Sequence, residues 1–189
     1  MKRICIVTGS RADYGLLTGL MREIAADQAM ELLVVATGSH LSAAFGHTVD
    51  AIRADGYKVD AEVEIGLESD SPSAIAQAAG QAVSGMAKAF QDLQPEAVVV
   101  LGDRYEIFAA ASAAILMNIP IAHIHGGELT LGAIDDALRH AITKMASLHF
   151  AAAHEYARRI HQMGEPEDRI FEVGAGTGGQ QHRFRSVQA

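Results

Sequence analysis

The apolar residues of this chain fall into two kinds of stretch that alternate along its length. Short unbroken runs at 3–8, 32–37, 97–101, 119–124 and 148–152 predict buried parallel strands, because a strand covered on both faces needs apolar side chains at every position. Between them lie longer segments with apolar residues three and four apart. Leu16, Leu17, Leu20, Met21 and Ile24 make one such stripe. Ile75, Ala79, Ala82, Met86, Ala89, Phe90 and Leu93 make another, over a helix predicted from about Ser73 to Leu93. The stretch 104–117 is almost wholly apolar and predicts a buried helix; 133–146 carries Ile134, Leu138, Ile142 and Met145, and 153–163 predicts a last helix. Residues 43–54 read as a helix stopped at Asp55-Gly56. Positions 58–65 alternate through Val59, Ala61, Val63 and Ile65, which predicts a strand near an edge, and 169–173 predicts a final short strand. Strand and helix alternating in this way predict an α/β fold: a Rossmann-like, three-layer parallel sheet with helices on both faces.

The ends of the apolar runs carry the polar residues that matter. Ligands of open α/β sheets sit at the carboxyl ends of the strands, and there the chain places Gly102-Asp103-Arg104 and His125-Gly126-Gly127-Glu128. A helix opens shortly afterwards with Asp135-Asp136. Asp103, Glu128, Asp135 and Asp136 are therefore the candidates for chemistry. Two carboxyls at adjoining strand ends can divide acid and base roles, since each raises the proton affinity of the other. Asp103 reads equally well as a helix N-cap, and Asp135 with Arg139 as an i,i+4 pair at a solvated helix start. Asp136, Arg139, His140 and Thr143 share the face opposite the apolar stripe. His123 and His125 are two apart, so an extended chain points them the same way. With no third ligand nearby, His125 reads as cleft lining and His123 as a satisfied buried histidine, with no metal. Gly126-Gly127 permits a close backbone approach or makes a turn.

After the first strand, Gly9 to Gly15 reads as a tight loop holding Arg11 and Asp13. It matches neither the Walker A nor the dinucleotide pattern, yet can present backbone N–H groups and Arg11 to a phosphate or sugar. Gly38-Ser39-His40 ends the second strand in the same manner. Residues 66–73 form a polar surface loop in which Ser71 or Ser73 caps the next helix.

Charge and cysteine usage narrow the class. The 189 residues carry a net charge of -8 with no long basic run, which argues against nucleic acid or an anionic membrane as partner. The single cysteine, Cys5, lies inside an apolar run, reads as core and fits a reducing compartment. No run is long enough for a signal-peptide core or a bilayer span, so a soluble cytoplasmic protein is expected. The last residues change character: Gly174-Ala175-Gly176-Thr177-Gly178-Gly179 spells a dinucleotide fingerprint, but no apolar helix follows it, and the fingerprint needs one.

Together these motifs resemble the hydrolysing UDP-N-acetylglucosamine 2-epimerases of sialic-acid-type sugar biosynthesis. The resemblance rests on Gly9-Ser10-Arg11-Ala12-Asp13-Tyr14-Gly15, on Gly38-Ser39-His40-Leu41, on Gly102-Asp103-Arg104, and on His125-Gly126-Gly127-Glu128 with Gly132-Ala133-Ile134-Asp135-Asp136 and Arg139-His140-Ala141-Ile142-Thr143-Lys144. It implies one half of a GT-B fold, with a UDP-sugar held in the cleft between two Rossmann-like domains. It implies conversion of UDP-N-acetylglucosamine and water to N-acetylmannosamine and UDP, without metal or redox cofactor and with Asp103 and Glu128 as acid and base. Asp135 and Asp136 would support the site or handle water. Arg11, Asp13, Ser39, His40, Arg104, His125, Arg139 and His140 would line the sugar and diphosphate region. The resemblance stops near Gly176. Residues 1–174 are expected to be the N-terminal Rossmann-like domain and 175–189 a disordered or non-native tail such as a frameshift leaves, with the C-terminal nucleotide-binding domain absent. A chain so ended is expected to be inactive alone, and its uncovered cleft face to favour a homo-oligomer. The other readings are a non-catalytic domain that binds sugar nucleotides, and half of a GT-B glycosyltransferase.

Overall fold

The computed structural model describes residues 1–66, 69, 71–130 and 134–174. Seven strands, β1 (Lys2–Thr8), β2 (Met30–Thr37), β3 (Ala61–Val63), β4 (Ala97–Leu101), β5 (Ile121–Ile124), β6 (Leu148–Ala151) and β7 (Ile170–Glu172), form one sheet in the order β3-β2-β1-β4-β5-β6-β7. Every pairing is parallel. The order reverses between β1 and β4, which opens a crevice at their carboxyl ends. Among the described residues six α-helices connect the strands: α1 (Arg11–Ala26), α2 (Val49–Ala54), α3 (Pro72–Leu93), α4 (Tyr105–Leu116), α5 (Ile134–Met145) and α6 (His154–Gln162).

Alternation along the strands builds two cores. Ile6, Val34, Ala36, Val99 and Leu101 point to one face, where Tyr14, Leu17, Met21 and Ile24 of α1 and Ile52 of α2 cover them. Cys5, Val7, Leu33, Val35, Val98 and Val100 point to the other, under Met86 and Phe90 of α3, Ile107 and Ala110 of α4 and Ile142 of α5. The result is the three-layer parallel sheet that the hydrophobic pattern predicts. Cys5 is a core residue whose thiol is pushed up by burial, the state of an inert packing group. Ser71 is the cap of α3, its hydroxyl accepting from the Ala74 N–H at 3.3 Å.

Local expectations fail in four places. The predicted helix over 43–54 is a 3₁₀ turn, Ala43–Phe45, followed by the short α2. Gly46 and His47 both take positive φ, 84° and 49°, and this breaks the helix. The loop after β1 shrinks to Gly9-Ser10, because the Ser10 hydroxyl caps α1 through the Asp13 N–H and Arg11 already begins the helix. The edge strand β3 covers only three of the eight predicted positions. On α5, Ile134 is 61% exposed while Arg139 and Thr143 are buried beside Ile142, so the helix turns part of its polar face inward. The expected tail, 175–189, lies outside the described residues, as do Gly132 and Ala133. Among the described residues no helix is long and apolar enough to cross a membrane.

Candidate active site

The carboxyl ends of β4 and β5 and the start of α5 meet on one side chain, Arg139. Its Nε–H donates to Asp103 Oδ2 at 3.1 Å, and an Nη2–H donates to the same oxygen. Nη2 also donates to Thr130 Oγ1 at 3.1 Å. Nη1 donates to Glu128 Oε2 at 2.9 Å and to the His125 carbonyl at 3.5 Å. A guanidinium has five N–H donors, and all five are engaged. Arg139 is 7% exposed. It joins the two acids internally, with every donor engaged by a neighbouring side chain or carbonyl. Nor does it pair with Asp135 one turn before it; its carboxylate partners come from the ends of two strands.

Asp103 therefore does not cap α4. Arg104 holds the N-cap position and makes no side-chain cap bond. One oxygen of Asp103 holds the guanidinium; the other has no hydrogen-bond partner among the described residues, and the side chain is 17% exposed. Glu128 likewise gives Oε2 to Arg139 and places Oε1 3.4 Å from His125 Nδ1. Asp136 reaches the same cluster by accepting from the Thr130 backbone N–H at 3.2 Å. Asp135, half-buried, stands beside it on the first turn of α5. The structure thus brings Asp103, Glu128, His125, Asp136 and Arg139 together at one rim.

His123 and His125 do not share a direction. His125 takes φ 64°, a left-handed conformation that ends the strand and breaks its two-residue period. His123 is fully buried. Its Nε2 lies 2.8 Å from the Gly102 carbonyl and its Nδ1 3.2 Å from Thr143 Oγ1. A carbonyl only accepts, so Nε2 carries the proton. Gly126 and Gly127 serve packing here. A Cβ on Gly126 would stand 3.0 Å from His123 Nδ1; one on Gly127, at φ 76°, would stand 2.5 Å from the Tyr156 carbonyl of α6. Among the described residues no three His, Cys, Asp or Glu side chains gather as metal ligands would.

All of the remaining predicted residues but His140, which is on α5, lie around the β1–β4 crevice. Ser39 donates to the Gly9 carbonyl at 3.0 Å and lines, with Phe45, Arg104 and Tyr105, a cavity of about 310 Å³. Arg11 is exposed on the first turn of α1. Asp13 is buried, its carboxyl raised by desolvation and drawn back in part by Ser10 and Arg104. His40 is wholly buried between Thr8 Oγ1, at 3.0 Å, and Thr48 Oγ1, at 2.8 Å. Both of its ring nitrogens are occupied, so it braces the wall and does not line the cleft. His140 is half-buried, and its Nδ1 has no hydrogen-bond partner among the described residues. Glu106, which the sequence pattern passes over, is wholly buried at the start of α4 with Arg104 Nε donating to it at 2.5 Å. The available signal was a lone acid at the head of an otherwise apolar helix.

Three buried histidines, His40, His123 and His149, are held neutral; desolvation is the main cause in each, and it pushes His123 down to about 3. In the unfolded chain they titrate near 6.5. Below about 6.5 the folded state binds fewer protons than the unfolded chain, so their contribution is complete above about 6.5 and is lost as pH falls. Asp13 and Glu106, with raised pKa values, act in the opposite sense. Urea unfolding from pH 7 to pH 5 isolates one histidine: His123→Gln is expected to flatten the pH slope of stability relative to the parent by up to about 1.4 kcal/mol per pH unit. An unchanged slope would mean that His123 is not held neutral.

The site can be set beside known proteins. The family described as UDP-N-acetylglucosamine 2-epimerase matches residues 22–179. The GDP/UDP-N,N'-diacetylbacillosamine 2-epimerase (hydrolyzing) of Campylobacter jejuni is 44% identical over 174 residues, covering 92% of this chain and 45% of the relative. A UDP-N,N'-diacetylbacillosamine 2-epimerase (hydrolyzing) of Legionella pneumophila is 40% identical over 175 residues, 93% of this chain and 46% of the relative. This chain thus spans about half the length of these relatives. Among solved structures, the UDP-GlcNAc 2-epimerase of Neisseria meningitidis bound to UDP-GlcNAc superposes with a TM-score of 0.81 at 21% identity, over 93% of this chain and 46% of that one. That likeness shows the fold: a Rossmann-like sheet matching half of a GT-B protein.

Proposed function

The chain belongs to the UDP-N-acetylglucosamine 2-epimerase family, and from that premise we propose that it supplies the acid–base half of a hydrolysing UDP-sugar 2-epimerase. The substrate is a UDP-linked 2-acetamido sugar: UDP-N-acetylglucosamine or, as the names of the two relatives favour, a diacetamido sugar. The observation that carries the reading is the shared guanidinium, on which Asp103 and Glu128 each give one oxygen to Arg139 and keep the other off it.

The chemistry asks for that arrangement. A C2–H beside an acetamido group is a weak acid, so its removal must be assisted by a positioned base and by departure of the leaving group. One carboxylate takes the C2 proton as the C1–O bond breaks and UDP leaves with the bonding pair, giving a glycal. Water then adds its oxygen to C1, and a proton returns to C2 from the opposite face. Two carboxylates at fixed separation on different strand ends fit such a two-sided proton exchange. Asp136 and Asp135 order water through the Thr130 segment. Arg104, Ser39 and Arg11 meet the sugar and diphosphate, and His125 and His140 complete the wall. The protein works in the cytoplasm.

The test joins residues 1–174 to the second half of the Campylobacter jejuni relative and measures UDP release from UDP-sugars. Release by the chimera, and none by the 189-residue chain alone, is expected. A chimera that folds as a single protein and binds UDP, yet releases none from UDP-N-acetylglucosamine or UDP-N,N'-diacetylbacillosamine, refutes the reading in favour of a non-catalytic sugar-nucleotide-binding domain.

A further inference from the structure

Glu106 belongs neither to the Arg139 network nor to the apolar core. It is the only charged side chain from Tyr105 to Met117, and it is 0% exposed. Oε1 accepts from Arg104 Nε, while the buried Oε2 has no hydrogen-bond partner among the described residues. Asp13, across the crevice on α1, is in the same condition: 9% exposed, with Oδ2 buried and unpartnered. Burial raises both carboxyls, and the Arg104 charge draws both back. A buried carboxyl oxygen without a partner is unfavourable for folding, so two of them around one arginine call for a cause beyond packing.

The loops after β1 and β2 are shaped to Glu106. A Cβ on Gly9 would stand 2.8 Å from Oε1, and one on Gly38, which sits at φ 59°, would stand 3.0 Å from it. Three strand ends thus close on a single carboxyl that can move little. Arg104 differs: its side chain is 45% exposed and lines the cavity of about 310 Å³. Held at Nε, its planar fork loses torsional freedom, and neither Nη group has a hydrogen-bond partner among the described residues. A guanidinium fixed at one edge and open at the other is pre-organised for a bidentate oxyanion.

We propose that Glu106 is a positioning residue: gripping Arg104 through Nε, with Asp13 behind, it fixes the guanidinium so that its Nη edge serves the cavity between β1 and β4. Only the identity of the anion, a diphosphate, rests on the function proposed above.

The test uses the ¹⁵N-labelled 189-residue chain with inorganic pyrophosphate as probe. The Arg104 Nε–H resonance is assigned by its loss in Arg104→Lys. In the parent it is expected to be distinct and slow to exchange with water. Glu106→Leu is expected to abolish that protection and weaken pyrophosphate binding by about tenfold, the scale of one charge-assisted contact. Glu106→Gln, of equal size and still an acceptor, should retain part of both. Should the leucine variant fail to fold, the glutamine variant alone decides. An unchanged Nε–H signal in a folded Glu106 variant overturns the proposal. Loss of the signal in a chain whose parent binds no pyrophosphate supports the positioning role and instead removes the diphosphate from this cavity.

Discussion

Arg139→Met is expected to destabilise the chain by about 3 kcal/mol, the cost of leaving buried ionic partners uncompensated. Methionine fills much the same volume, so the loss is electrostatic and not a cavity effect. It strands Asp103 and Glu128, removes the donor to Thr130 and frees the His125 carbonyl. The arginine side chain is 9% exposed but its partners are 17% and 25% exposed, so water recovers part of the loss and the lower end of the range applies. Urea unfolding at pH 7 measures it. A change below about 1 kcal/mol would mean that the three side chains are solvated as an ordinary surface group.

Asp103→Asn and Glu128→Gln should each lower UDP release by the chimera about 10²-fold or more, the usual scale for a lost acid–base group. Both substitutions keep shape and one hydrogen-bonding oxygen, so Arg139 stays in place and the fold should hold. The distinguishing measurement is kcat against KM: a proton-transfer role lowers kcat with little change in KM, whereas a binding role does the reverse. Near-parent kcat in both variants would remove the assignment of these residues. Asp135→Asn and Asp136→Asn supply the contrast, since residues that order water from one shell away are expected to show smaller losses.

The central strands were legible because they are apolar at nearly every position, a pattern local enough to survive without tertiary information. The rim was legible for a related reason: Asp103 and Glu128 directly follow such runs. What escaped depends on partners distant in sequence. The i,i+4 rule offers Arg139 the nearby Asp135, but its actual carboxylates lie 36 and 11 residues away, in a partly buried pocket where the interaction is stronger than at the surface. The period-two rule aims His125 with His123, yet one left-handed residue turns it toward Glu128. Glu106 was hidden by the apolarity of its own helix, although an acid in that setting has few destinations other than a nearby cation. The break at Gly46-His47 depends on dihedral choices that helical periodicity does not register.

The margins of the sheet carry one more consequence. The outermost strands, β3 and β7, are three residues each, against seven in β1 and eight in β2. Each has an acidic residue, Glu62 on one border and Glu172 on the other. An outer strand is a template for backbone pairing with a foreign chain, and natural proteins blunt it with brevity and charge. Stacking border to border would gain few hydrogen bonds and bring like charges together, so concentrated solutions of the folded chain resist growth into β-linked polymers.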